Sequence, residues 1–227
     1  MRKDLTGRVL GVIHAGTWVA ATGSRFHEMI MPEVQLVHIC DDSLELAFKA
    51  AGVGKIPTHN YYRVATYARF LQDFGADVIM MGCSTMDAAV EHARPLIDVP
   101  MLQIDRPMMD KAVRDGRRIG LLATLDTTVP SSTRLLQEAA TDAGREITIV
   151  QLFSAEAFSE LRHGNQAKHD EILLDVIEAN QGRLDAIVMA QLSMSVLDDR
   201  THGKFQIPVY NSGREGWTRV REMLEAL

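Results

Sequence analysis

Cysteine is scarce in this 227-residue chain, which has only Cys40 and Cys83. Two thiols cannot form a disulfide framework, so a reducing cytoplasm is the expected compartment. Long apolar runs are missing as well. The N-terminal MRKDLTGR leads into a seven-residue strand that His14 interrupts, too short for a secretory signal or a membrane span. Basic charge is also in short supply. Twenty-four Lys and Arg against 30 Asp and Glu leave a net charge of −6 with no dense cationic stripe, which argues against a nucleic-acid partner. The Gly-rich dinucleotide and P-loop patterns are absent after every apolar segment. No two of the eight histidines stand at an i, i+4 spacing, and no metal is expected.

What the chain does contain is a repeat. Gly7–Ile13 (GRVLGVI) matches Gly116–Leu122 (GRRIGLL), Ala76–Met86 (ADVIMMGCSTM) matches Leu184–Met194 (LDAIVMAQLSM), and Val99–Gln103 (VPMLQ) matches Ile207–Asn211 (IPVYN). The offsets are 109, 108 and 108 residues. One pair of short apolar strands would mean little; three in the same order at near-constant offset indicate a duplication, and a duplication fixes an architecture. Two lobes of about 110 residues lie near the usual domain size. The division expected is 1–105 and 106–227, with the C-terminal helix free to pack back on the first lobe.

Strand and helix alternate throughout. Strands are expected at Arg8–Ile13, Gln35–Ile39, Asp77–Met81, Met101–Ile104, Arg118–Leu122, Thr148–Leu152, Ala186–Met189 and Pro208–Tyr210. Most are continuous apolar runs, as in parallel sheets covered on both faces. Helices are expected at Leu44–Ala51, His59–Phe74, Asp87–Leu96, Pro107–Asp115, Ser131–Ala143, Ala155–His163, His169–Asn180 and Glu215–Ala226. Ser131 or Ser132 after Pro130 reads as an N-cap region, and Gly144 as a C-terminal stop. The fold class is therefore α/β: two pseudo-symmetric, doubly wound (flavodoxin-like) parallel-sheet lobes. An active-site cleft is expected between them, with Cys83 facing Gln191.

In open α/β sheets ligands bind at the carboxyl ends of strands. The segments there are His14-Ala15-Gly16-Thr17, Gly82-Cys83-Ser84-Thr85, Ala123-Thr124-Leu125-Asp126-Thr127-Thr128 and Ala190-Gln191-Leu192-Ser193. All are small and polar, and none carries Lys or Arg. That points to a neutral-donor cradle for a carboxylate-sized anion rather than a phosphate clamp. Cys83 reads either as a small core hydrophobe or as a reactive thiol at a helix N-terminus, and Ser84 and Thr85 beside it favour the second. Cys40, followed by Asp41 and Asp42, reads as structural. The methionines flanking the two turns read as core filler, and Tyr61 and Tyr62 as core or surface more than cleft.

These residues meet a known family. The layout resembles the aspartate/glutamate racemase superfamily, with its hydantoin racemases, maleate isomerases and arylmalonate decarboxylases, over essentially the whole chain. Gly82–Thr85 (GCST) is similar to the family's first Cys-Asn-Thr motif, and Ala123–Ser132 (ATLDTTVPSS) to its Ala-Thr-x-x-Thr loop. The resemblance implies cofactor-independent chemistry at a carbon next to the carboxylate of a small acid, with a thiol from each lobe moving a proton. It also implies a homo-oligomer, dimer or higher. Ser84, Thr85, Thr124 and Thr127 match positions where the family holds the carboxylate, and Thr17 and Ser193 join them as candidate substrate contacts.

Departures from the family pattern bear on mechanism. The second Gly-Cys-Thr motif reads Ala190-Gln191-Leu192-Ser193 here, and glutamine can orient or donate a hydrogen bond but cannot shuttle a proton. Asp87 stands where amino-acid racemases often carry His, and the Asp-Ser-Gly opening of glutamate racemases is His14-Ala15-Gly16 instead. The catalytic candidates are Cys83 as acid/base or nucleophile, Gln191 as a stabilising donor, and His14 as a replacement acid/base or simply a hydrogen-bonded loop residue. Racemisation or isomerisation is the activity expected. A single-thiol decarboxylase or lyase, and a non-catalytic ligand binder, are the alternatives.

Overall fold

The computed structural model describes residues 3–227. Met1 and Arg2, part of the N-terminal segment read above, lie outside the described residues. The chain divides into two compact units: residues 1–104 with 213–227, and residues 105–212.

The first unit carries a four-stranded parallel sheet ordered β2-β1-β3-β4, from β1 (Val9–His14), β2 (Gln35–Cys40), β3 (Val78–Met81) and β4 (Met101–Gln103). Its helices are α1 (Ala20–Ile30), α2 (Asp42–Ala51), α3 (Thr58–Phe74) and α4 (Asp87–Ala93). Burial follows position in the sheet: β3 is buried at all four residues, whereas the edge strand β2 is half-buried and exposed by turns. A central strand covered by helices on both faces must be apolar at every residue, and VIMM is. Gly11 in β1 lets α3 approach closely, because a Cβ there would lie 2.9 Å from Leu71 Cδ1.

The second unit repeats the topology with order β6-β5-β7-β8: β5 (Arg118–Ala123), β6 (Thr148–Phe153), β7 (Ala186–Met189) and β8 (Val209–Asn211). Its helices are α5 (Arg106–Asp115), α6 (Thr128–Asp142), α7 (Ala155–Arg162), α8 (Gln166–Asn180) and the short α9 (Asp198–Thr201). The repeat reaches individual side chains. Asp77, just before β3, accepts the Val9 amide at 2.8 Å; Asp185, just before β7, accepts the Arg117 and Arg118 amides, each at 2.8 Å. These amides hold the Asp185 carboxyl below its usual range. Each aspartate thus pins the start of the neighbouring central strand.

The last helix, α10 (Ser212–Ala226), belongs to the first unit from Gly213 onward. Trp217 is fully buried there, so close to α1 that a Cβ on Gly23 would meet its ring at 3.2 Å. Arg221 completes the attachment. It donates to the Ile30 carbonyl at 2.9 Å and the Lys3 carbonyl at 2.8 Å, and pairs with Glu33 at 3.0 Å and Glu225 at 2.8 Å.

All eight expected strands are present within a residue or so of their expected bounds, and several helix starts differ. Helix α6 begins at Thr128, so Ser131 and Ser132 are buried helical residues rather than caps. Pro130 falls in the first turn, where its missing N–H leaves no bond unmade. Helix α8 begins at Gln166, capped by the Asn165 side chain accepting from the Lys168 amide. Helix α1 was not expected at all. Its sequence, ATGSRFHEMI after the first alanine, reads as a loop until Trp217 covers Gly23. Cys40 lies exposed on the edge strand rather than packed as a structural residue. Burial and the Asp42 carboxylate push its thiol up.

Candidate active site

Each unit presents polar side chains at the carboxyl ends of its two central strands. In the first unit the turn after β3 holds Cys83, Ser84 and Thr85, all half-buried. Cys83 packs its inner side against the core yet keeps its sulfur 3.2 Å from the Thr85 hydroxyl, which can donate to a thiolate. Gln103 at the end of β4 fixes the turn from behind, donating from Nε2 to the Cys83 carbonyl at 3.1 Å. The sulfur meets a hydroxyl and the Cys83 carbonyl accepts from Gln103, so polar contacts fix the turn that carries the thiol, which does not suit a plain apolar filler.

His14 ends β1. It is 1% exposed, its Nε2 lies 3.0 Å from His38 Nδ1, and the two rings stack at 5.2 Å. Its Nδ1 is buried without a partner among the described residues. Gly82 eases the passage of the chain beside this ring: a Cβ there would lie 3.1 Å from Nδ1, a contact the ring would have to yield to by a few tenths of an ångström. Burial, reinforced by His38, brings the His14 pKa down to about 4, so the imidazole is neutral at neutral pH. Burial and then His27 lower His38 as well. Thr17 begins a single 3₁₀ turn, and its donors are engaged: its amide reaches Asp42 at 2.7 Å and its hydroxyl the same carboxylate at 3.4 Å.

In the second unit three donors converge on one oxygen. The Thr124 amide (2.7 Å), the Thr124 hydroxyl (3.0 Å) and the Leu125 amide (3.3 Å) all donate to Gln191 Oε1. An amide has one acceptor and one donor end, so clamping the oxygen determines which end is left over. The Gln191 Nε2 group has no protein partner among the described residues. Gln191 is therefore a hydrogen-bond donor in fixed orientation. Thr127 and Ser193 stand half-buried in the same two loops. Behind them Asn211 at the end of β8 donates to buried Asp198 at 2.7 Å.

Sequence reasoning missed His38, Asp42 and the Thr124–Leu125 nest. The nest had no signal, because two of its three donors are backbone amides. Gln103 did have one, since it closes the first copy of the third repeat as Asn211 closes the second. Tyr61 packs against the core and Tyr62 is exposed. Among the described residues no group of three or more His, Cys, Asp or Glu is placed to hold a metal ion. No helix among them is long and apolar enough to cross a membrane.

Two four-stranded parallel α/β units with thiol- and hydroxyl-bearing turns define the class of protein. The sequence matches the Asp/Glu/hydantoin racemase family over residues 28–219, and the chain belongs to that family. Among solved structures, an aspartate racemase homologue from Pyrococcus horikoshii OT3 is similar with a TM-score of 0.73 at 17% identity, each chain covered in full. Picrophilus torridus aspartate racemase gives 0.69 at 16% identity, covering 97% of this chain and 100% of that one. Allantoin racemase from Klebsiella pneumoniae gives 0.68 at 20%, covering 97% and 87%. At such identities the likeness is one of fold. No curated protein matches the sequence.

Proposed function

We propose that this chain is a cofactor-independent isomerase of the racemase type, acting at the carbon next to the carboxylate of a small acid. Cys83 serves as thiol acid/base or nucleophile, with the Thr85 hydroxyl stabilising its thiolate. Ser84, Thr85, Thr127 and Ser193 supply neutral donors to the carboxylate, and Thr17 and Thr124 act by holding their own loops. The single observation that supports this reading best is Cys83 on a turn fixed by Thr85 and Gln103 in a chain of this family.

Gln191 favours a second reading. Its oxygen is clamped and its amide carries no proton to transfer, so it can stabilise an enediolate but cannot reprotonate one. A reaction needing one thiol on one face, decarboxylation or β-elimination with single-sided protonation, suits that arrangement. Two-sided exchange requires another acid/base, and His14, neutral and with an unpartnered Nδ1, is the candidate.

Proton exchange in D₂O, followed by NMR on a panel of small carboxylic acids, hydantoins and malonates, tests the proposal. Exchange with inversion that vanishes in Cys83→Ala supports the racemase. Loss of CO₂ or a β-group, equally dependent on Cys83, supports the lyase. Silence on every substrate, with Cys83 alkylated by iodoacetamide only near the ordinary thiol pKa of about 8.5, overturns both in favour of a binding protein. Labelling belongs in a Cys40→Ser background, because Cys40 is exposed.

A further inference from the structure

The first unit buries a polar atom that nothing pairs. His14 Nδ1 is closed off from solvent and has no hydrogen-bond partner among the described residues, on a side chain only 1% exposed. An unpaired buried nitrogen destabilises a fold, so its presence calls for a role. Of the atoms in the ring it stands nearest to Gly82, the residue just before Cys83. The second nitrogen, Nε2, lies 3.0 Å from His38 Nδ1. Unlike His14, His38 is exposed, on the edge strand β2. Its own Nε2 has no protein partner among the described residues.

From this geometry we infer that His38 is a proton relay between solvent and His14, a positioning residue that touches no substrate. The inference rests on the reading of His14 as the second acid/base. Burial keeps both imidazoles below their ordinary pKa, and a neutral imidazole carries one N–H, so the bond between the rings has two forms. In the first, His14 donates from Nε2 to His38 Nδ1; His14 Nδ1 is bare, and His38 keeps its hydrogen on Nε2. In the second, His38 donates from Nδ1 to His14 Nε2; His14 Nδ1 carries the hydrogen, and His38 Nε2 is bare. The two rings therefore share one tautomer and change it together. A proton arriving at bare His14 Nδ1 makes an imidazolium, whose Nε2 proton crosses to His38 Nδ1. His38 then releases its Nε2 proton to water. One proton enters and one leaves, and Nδ1 is left as an acid; the reverse sequence resets it. The charge passes to the exposed ring, where desolvation opposes it less. His27 on α1, the other group whose charge acts on His38, donates to the Val34 carbonyl at 2.8 Å and takes no part.

Solvent exchange of the His14 ring hydrogen, followed by ¹⁵N NMR on the full chain without substrate, tests this. In the wild type both rings should show the same tautomer, and the His14 hydrogen should exchange by way of His38. His38→Gln keeps an acceptor for His14 Nε2 but passes no proton on, and His38→Phe keeps a covering ring without nitrogen. In both variants His14 is left to exchange by local opening, and the rate should fall at least about tenfold with circular dichroism unchanged. A His38 that only shields His14 would give the opposite sign. Exchange that is unchanged or faster in both variants overturns the relay, as do different tautomers in the two wild-type rings. On a substrate that the chain inverts, His38→Gln should lower kcat about 10²-fold with KM nearly constant, and an unchanged kcat would overturn the relay as well. No substrate enters the exchange measurement, so slowed exchange in the variants upholds the relay even where the Cys83-dependent reaction fails.

Discussion

Replacing His14 by Gln should remove most of a specific acid sensitivity. In the folded protein burial, helped by His38, holds the His14 pKa at about 4, against 6.5 for an unperturbed imidazole. Between those values the unfolded chain binds a proton that the folded chain refuses, so stability falls as pH drops through that window and levels off below it. At pH 4.5 the unfolded imidazole is almost fully protonated and the folded one about a quarter, which costs about 2.5 kcal/mol relative to pH 7.5. For a chain of this size that is a loss of roughly 5–10 °C in Tm. Glutamine keeps a polar group toward His38 and cannot titrate, so the variant should lose correspondingly less. Urea unfolding by circular dichroism at pH 7.5 and 4.5 measures both proteins, and carboxylates common to the two cancel in the difference. Equal losses in wild type and variant, within about 0.5 kcal/mol, would refute the reasoning, because a buried neutral His14 then could not be what acid attacks.

Thr124→Val deletes one of the three donors to Gln191 and should cost about 1 kcal/mol, whereas Gln191→Leu leaves all three facing an apolar side chain and should cost about 2 kcal/mol or more, both read from urea midpoints. On a substrate that the chain turns over, Gln191→Leu should lower kcat by about 10²–10³, as removal of an oxyanion donor does, with KM changed far less. Arg221→Met keeps the stem that packs under α10 but strands the Ile30 and Lys3 carbonyls and two glutamates; a loss of about 2–3 kcal/mol is expected, with faster hydrogen exchange in α10 than in β5. Gly120→Val forces a Cβ to within 2.7 Å of Leu184 Cδ1 in the middle of β5 and should cost about 1–3 kcal/mol by overpacking, checked by thermal unfolding.

The duplication, the eight strands and the polar strand ends were legible in the sequence because each is a local property. A strand covered on both faces must be an unbroken apolar run, and VIMM and AIVM say so wherever they stand. Cys83, Thr85 and Gln191 could be picked out because they end such runs in matching places. What each side chain does there was not legible. Gln191 read as a residue that orients or donates a hydrogen bond; what fixes its amide was not visible, because the donors that hold its oxygen are two backbone amides and a hydroxyl more than sixty residues away. His14 read as a replacement acid/base or a hydrogen-bonded loop residue, and it is the fold that buries it beside His38, a residue whose edge-strand position gave it no distinction. Helix α1 was missed because Gly23 weakens it locally, and the reason for a glycine there, the close approach of the Trp217 indole, comes from almost two hundred residues on. The sequence by itself determined which elements form and where a site can stand, since periodicity and strand ends are written within a few residues. Tertiary structure alone decided which end of an amide faces outward, which imidazole stays neutral and which helix closes the first unit, because those depend on neighbours far apart in the chain.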